Sequence, residues 1–120
     1  MKMGVLPRKQ IKAQAARYTK IVEWSDEDQC FVGRCPEIML GGVQGSEEAK
    51  VYAELCQAVE EMIELIHADG QKLPEPLSAK KFSGKFVLRV EPVIHRRLAA
   101  KALAAGESLN SYCAKTLCKA

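Results

Sequence analysis

The sequence lacks the cysteine patterns that would indicate a metal centre or a disulfide framework. It has five cysteines, an odd number, and no two of them form a CxxC pair. Zinc sites and small disulfide-linked domains normally use paired, closely spaced cysteines. We therefore expect free and mostly buried thiols, with no metal and no cofactor.

Long apolar runs are missing as well. No stretch approaches the roughly 18 to 20 apolar residues that cross a bilayer. The start of the chain, "MKMGVLPRKQIKAQAARY", has no long apolar segment of the kind found in secretory signals. These absences favour a cytoplasmic protein.

Catalytic motifs are scarce. The glycine-rich "GGVQG" lacks the lysine and the flanking residues of a phosphate-binding loop. Asp26, Glu27 and Asp28 form the densest acidic group, and Glu23 and Glu37 could approach it from strands. Because the three adjacent acids fall in a predicted turn, where solvated charges are usual, a ribonuclease-H-like metal nuclease is the less favoured alternative and we expect no enzyme.

Charge is distributed unevenly along the chain. Residues 1–20 carry six basic and no acidic side chains, residues 21–76 carry three basic and thirteen acidic, and residues 77–120 carry nine basic and two acidic. This pattern predicts an acidic module between a basic tail and a basic module. Basic clusters on small modules are typical of nucleic-acid binding, although a solvated surface would give the same count.

The first half of the chain predicts a small sheet followed by a long helix. Residues 1–17 lack periodicity and are interpreted as a flexible tail, or a short helix formed only on contact. The segments "YTKIVEW" and "CFVGR", separated by "SDEDQ", predict a hairpin over residues 18–34, and "IMLGGVQG" predicts a third short strand.

The segment "GSEEAKVYAELCQAVEEMIELIHADG" predicts the long helix, with Ser46 as its N-cap and Gly70 at its C-terminal end. One face of this helix is apolar at spacings of three and four and is expected to pack on the sheet, while the other is mostly glutamate. The predicted apolar face consists of Tyr52, Leu55, Cys56, Val59, Met62, Ile63 and Ile66. The following "QKLPEPLSAKK" predicts an extended segment and then a polar linker.

The end of the chain follows a different pattern. "SGKFVLRVEP" alternates with a period of two, which predicts one strand at residues 85–91. Pro92 favours the first turn of a helix that Gly106 ends, and Ser108 is placed to cap a second helix. A strand and two helices make a very small module.

A single strand cannot be stable by itself, because its backbone donors and acceptors stay unpaired. We therefore expect two copies to pair their strands antiparallel. Phe86, Leu88 and Val90 would then form the core of a dimer, and the basic face, Lys85, Val87 and Arg89, would be exposed. A two-stranded ribbon of this kind fits the major groove of DNA.

The stretch "GKFVLRVEPVIHRRLAAKALAAGESLNSYCAKTL" resembles the ribbon-helix-helix domain of Arc- and CopG-like repressors. Together with "YTKIVEWSDEDQCFVGRCPE", "GSEEA" and "LPEP", it makes residues 18–118 similar to a HicB-type antitoxin. The resemblance implies an N-terminal domain with a partial ribonuclease-H-like fold before the DNA-binding module. It also implies two partners, a double-stranded DNA operator and a small basic RNA-cleaving toxin, HicA.

The resemblance implies roles for individual residues. Lys85, Val87 and Arg89 align with base-contacting positions, and the amides near Ser108, Leu109 and Asn110 with phosphate contacts, which also fits the positive end of a helix. The toxin surface is assigned to the helix face that carries Glu54, Glu61 and Glu64. A standalone regulator without a toxin partner is the alternative, and the order of assembly, dimer or tetramer, stays open.

The predicted fold is α+β: a small three-stranded antiparallel sheet with one long helix, followed by a ribbon-helix-helix dimerisation module. The predicted domains are a flexible basic tail (1–17), an acidic domain with a partial ribonuclease-H-like fold (18–76), a linker (77–84) and the DNA-binding module (85–120).

Overall fold

A computed structural model describes residues 6–38 and 41–120, and the chain divides into two compact units, residues 1–81 and 82–120. The first unit holds helix α1, strands β1 to β3, helix α2 and a short 3-10 helix, and the second holds helices α3 and α4. Their bounds are α1 Arg8–Ala15, β1 Ile21–Ser25, β2 Cys30–Arg34, β3 Val43–Gly45, α2 Glu48–Ala68, the 3-10 helix Leu77–Ala79, α3 Pro92–Ala104 and α4 Leu109–Cys118.

The sheet is an antiparallel meander in the order β1-β2-β3. Between β1 and β2 the chain turns through Gln29, whose φ is 55°, and the Gln29 side-chain amide donates to the carbonyl oxygen of Asp26 at 2.6 Å. Trp24 and Phe31, opposite each other in the ladder, meet edge to face with ring centroids 5.1 Å apart. The α+β class and the three-stranded sheet are as the sequence predicts.

Helix α2 packs closely on the sheet because two strand positions are glycine. A Cβ on Gly45 would lie 2.8 Å from Cγ2 of Val51, and one on Gly33 would lie 3.1 Å from Cγ1 of the same residue. Val51 and Leu55 can therefore be completely buried between the helix and the sheet. Val59 and Ile63, one and two turns further along, continue this face into the core.

Two predicted details of α2 are wrong. The helix begins at Glu48 with Glu47 as N-cap, and Ser46 does not cap it. Tyr52 was expected on the buried face, but its side chain is half exposed and Val51 takes the inward position. The end is as predicted: Gly70 has a φ of 71°, and its N–H and that of Gln71 donate to carbonyls of the last turn.

The prediction of a flexible tail is wrong for residues 8–15, because these residues form helix α1. Ile11 and Ala15, four residues apart, are buried in the core cluster, and α1 packs against α2. Arg8 forms ion pairs with Glu60 at 3.2 Å and with Glu64 at 3.4 Å. This basic helix has a weak amphipathic pattern. It is stabilised by the burial of two apolar side chains and by ion pairs with two glutamates of α2. Residues 1–5 of the predicted tail lie outside the described part.

Side-chain hydrogen bonds attach the chain that follows α2 to the first unit. The Tyr18 hydroxyl donates to the carbonyl of Pro74 at 2.5 Å, and the N–H of Leu77 donates to Glu37 at 3.1 Å. The Ser78 hydroxyl donates to the carbonyl of Arg17 at 2.7 Å. The first residues of the segment predicted as a linker, 77–84, are therefore bound to the first unit.

In the second unit, α3 packs on α4. Ala102 is buried, while Ile94, Leu98, Leu109 and Tyr112 are half buried. Gly106, with a φ of 71°, ends α3 in the same way that Gly70 ends α2. The two helices and their boundaries agree with the sequence pattern.

Candidate nucleic-acid interface

Residues 85–91 precede α3 and lie in neither a helix nor a strand, and the residues on both sides of them disfavour a longer strand. Gly84 has a φ of 84°, which is outside the β region, and Pro92 opens the helix and has no N–H to donate. Ser83 engages both backbone groups of Lys85: its hydroxyl accepts from the N–H at 3.1 Å and donates to the carbonyl at 3.4 Å. The carbonyl of Glu91 accepts from the first turn of α3.

Between these ends, the backbone N–H and C=O groups of residues 86–90 have no hydrogen-bond partner among the described residues. The strand predicted at residues 85–91 is therefore not formed in the single chain, where these residues belong to neither a helix nor a strand. Unpaired N–H and C=O groups in a row are a template for another strand.

The apolar side chains of this segment are exposed. Phe86 is 75% exposed, Leu88 61% and Val90 43%. Further apolar side chains of the second unit are exposed too, namely Phe82, Val93, Leu103 and Leu117. Exposed apolar surface of this extent on so small a module is typical of an interaction surface.

Lys85, Val87 and Arg89 lie on this segment, and all three are exposed. In a strand, alternation would place them on the side opposite Phe86 and Leu88. Neither Lys85 nor Arg89 forms an ion pair with a described residue. Residues 82–120 carry seven basic and two acidic side chains, so the local potential is positive.

The predicted phosphate-contacting residues form the first turn of α4. The Ser108 hydroxyl accepts from the N–H of Ser111 at 3.0 Å and so caps the helix. The N–H groups of Leu109 and Asn110 have no carbonyl within the helix to bind, as at every helix start, and Asn110 is exposed. This end can accept an anion, and the cap by Ser108 is compatible with that role.

The three glutamates assigned to a toxin surface lie on the solvent face of α2 but differ in their contacts. Glu64 is paired with Arg8, and Glu61 accepts a hydrogen bond from Gln57 at 3.3 Å. Glu54 is exposed. Glu60 also binds Arg8. The sequence pattern did not indicate this contact, because it depends on the presence of helix α1.

The acids of the nuclease alternative are engaged separately. Glu23 pairs with Arg34 at 3.5 Å, and Asp26 accepts from the indole N–H of Trp24 at 2.8 Å. Asp28 contacts the Ser25 hydroxyl, and Glu37 accepts from Thr19 and Leu77. In the part of the chain that the structure describes, no group of three or more His, Cys, Asp or Glu side chains is placed to hold a metal ion.

Comparison with known proteins bears on the second half of the chain. Residues 68–117 match the model of the HicB family. The match supports a HicB-type protein. It runs from the end of α2 through residues 85–91 to α4, and so includes the candidate interface. No curated protein and no solved structure matched the chain. Within residues 6–38 and 41–120, none of the helices combines the length and the apolar character needed to cross a membrane.

Proposed function

We propose that this HicB-type chain is the antitoxin of a toxin-antitoxin pair and that it represses its own operon as a ribbon-helix-helix dimer. One observation supports the DNA-binding part: residues 86–90 are exposed, their backbone groups have no partner among the described residues, and two helices follow directly. The match over residues 68–117 supports the antitoxin part.

The dimer follows from what the segment lacks. A second copy would supply backbone hydrogen bonds to alternate residues of the segment, and its Phe86, Leu88 and Val90 would join those of the first copy over the helices. Burial of an apolar side chain stabilises by about 1.5 to 3 kcal/mol, and both copies contribute such side chains.

The opposite face of the ribbon would then read DNA. Arginine and lysine donate to the O6 and N7 atoms of guanine in the major groove, and an apolar side chain such as Val87 contacts the methyl group of thymine. The first turn of α4 would bind a phosphate and fix the depth of insertion. Arg96, Arg97 and Lys101, exposed on α3, add positive charge to the same unit.

The first unit would neutralise the toxin. The order β1, β2, β3, α2 supports a partial ribonuclease-H-like domain, and residues 21–76 carry thirteen acids against three bases. This balance suits a basic RNA-cleaving partner of the HicA type. Glu54 and Glu61 are the candidates on α2 that do not pair with Arg8.

The test of DNA recognition uses duplexes selected from a random library by the full-length protein. We expect Arg89→Ala to weaken binding to the best selected duplex by about 1 to 3 kcal/mol and to reduce discrimination against mutated sites. Lys80→Ala, a change in the linker, is the matched control and should leave discrimination unchanged. Equal discrimination by wild type and Arg89→Ala over a range of salt concentrations would contradict base recognition by this residue.

A further inference from the structure

A pocket of about 460 Å³ lies in the first unit, between the end of α1 and the segment that follows α2. Gln14, Arg17 and Tyr18 line it from the first region, and residues 72–76 line it from the second. Pockets that hold small organic ligands have volumes of about 300 to 1,000 Å³. Neither the proposed DNA contacts nor the glutamates assigned to a toxin surface take part in this pocket.

The two regions are joined without the use of the basic side chains of the pocket. The Tyr18 hydroxyl donates to the carbonyl of Pro74 at 2.5 Å. At the negative end of α1, Nζ of Lys20 donates to the carbonyl of Ala15 at 2.6 Å. The guanidinium group of Arg17 is therefore not required for either contact.

The charge of the pocket favours an anion. Arg17 and Lys72 line it, and neither forms an ion pair with a described residue. Arg17 lies near the hydroxyl of Tyr18: burial raises the pKa of Tyr18, and the charge of Arg17 opposes this rise. Glu75 also lines the pocket, so two bases against one acid leave a net charge of +1.

The remaining side chains of the pocket suit the organic part of a ligand. Leu73 is half buried and Pro76 is buried, and both offer apolar contacts beside the ring of Tyr18. The side-chain oxygen of Gln14 is buried and has no hydrogen-bond partner among the described residues. Such an orphaned acceptor is unfavourable, and an N–H group of a ligand that reached this amide would satisfy it.

We propose that this pocket binds a nucleoside monophosphate. Its phosphate lies between Arg17 and Lys72, where a guanidinium fork and an ammonium group both donate to phosphate oxygens. Its base supplies the flat apolar body that Leu73 and Tyr18 accept and the N–H donor that Gln14 lacks. The proposal uses neither the dimer nor a toxin partner, so it stands or falls separately from the proposed function.

The test is a titration of the ¹⁵N-labelled full-length protein with adenosine 5′-monophosphate, followed by NMR. We expect the largest shift changes at the residues that line the pocket, including the side-chain amide of Gln14, with a dissociation constant below about 1 mM. Adenosine and inorganic phosphate each lack one half of the ligand. Each should bind at this pocket at least about tenfold more weakly.

Three single variants separate the pocket from general charge. Arg17→Ala and Lys72→Ala should each weaken binding of adenosine 5′-monophosphate at least about tenfold, because each removes a charged donor. Lys12→Ala removes an equal charge from α1, outside the pocket, and should change the affinity by less than about twofold. All three side chains are exposed, so the variants should unfold in urea at the same concentration as wild type.

Several outcomes would overturn the site. Shift changes confined to residues 82–120, or no shift change at all, would mean that the pocket does not bind the nucleotide. Equal losses for Lys12→Ala and Arg17→Ala would mean that binding depends on overall charge. Equal affinities for inorganic phosphate and adenosine 5′-monophosphate would contradict the contacts proposed for the base.

Discussion

Glu37 connects three parts of the first unit through one carboxylate. It accepts hydrogen bonds from the backbone N–H and the hydroxyl of Thr19, just before β1, and from the N–H of Leu77 after α2. Partial burial opposes ionisation, but the hydrogen bonds from the N–H groups of Leu77, Glu37 itself and Thr19 outweigh it and lower the pKa of this carboxyl. The neighbouring Cys35 thiol is completely buried, and burial, followed by the charge of Glu37, raises its pKa.

At this scale the prediction concerns Glu37→Gln. A carboxyl group whose pKa is lower in the folded than in the unfolded state stabilises the folded state at pH values above its ordinary pKa. This contribution is lost as the pH falls through the folded pKa. We expect the variant to lower the free energy of unfolding at pH 7 by about 1 to 3 kcal/mol, because charged acceptors make the stronger hydrogen bonds. Urea unfolding followed by the fluorescence of Trp24, the only tryptophan, measures it.

The pH dependence is the control for this prediction. The difference in stability between wild type and Glu37→Gln should narrow as the pH falls from the ordinary pKa of glutamate through the lower folded pKa of Glu37, below which both side chains are uncharged. A difference that stays constant down to acid pH would mean that the carboxylate charge is not what holds Leu77 and Thr19.

Between elements, the contact of α2 with the sheet depends on the absence of a side chain at Gly45. The Cβ of an alanine there would lie 2.8 Å from Cγ2 of the buried Val51. We expect Gly45→Ala to cost about 1 to 3 kcal/mol of stability, the usual effect of overpacking. Gly41→Ala is the matched control, because a Cβ at Gly41 meets nothing within 4 Å and should change stability by less than about 0.5 kcal/mol. Equal effects of the two substitutions in thermal or urea unfolding would contradict close packing at Gly45.

The same scale shows which elements can be predicted from the sequence. The sheet and α2 are predictable because strand alternation and a strong helical period are local signals, and the glycines at 70 and 106 mark helix ends through their positive φ. Helix α1 was not predictable in this way. Its buried apolar side consists of Ile11 and Ala15 alone, and helix α2, against which it packs, lies far along the chain. Serine is the better N-cap by residue type, so the local pattern favours Ser46 over Glu47, which is the observed N-cap of α2.

The candidate sites are likewise only partly predictable from the sequence. Alternation alone predicts that Lys85, Val87 and Arg89 share one side. Residues 85–91 are all exposed, so exposure does not distinguish the two sides. The pairing of Glu64 with Arg8 likewise could not be foreseen without α1.

For the whole molecule, the division into residues 1–81 and 82–120 predicts separable activities. A truncated chain of residues 1–81 keeps Tyr18, Glu37 and the segment bound to them, so we expect it to fold and to bind a basic HicA-type toxin while binding no selected duplex. Co-purification with the toxin and a gel-shift assay measure the two activities. Loss of toxin binding together with DNA binding would contradict the division, and toxin binding by neither form would favour the standalone regulator.

The unpaired backbone groups of residues 86–90 also make the activity of the proposed repressor depend on its own concentration. In the proposed dimer the ribbon forms only when two molecules meet, and dilution removes it. While free chains outnumber pairs, the amount of ribbon grows with the square of the cellular level, so halving that level leaves about a quarter of it. Degradation of a modest share of the chains would therefore release transcription more steeply than it depletes the protein.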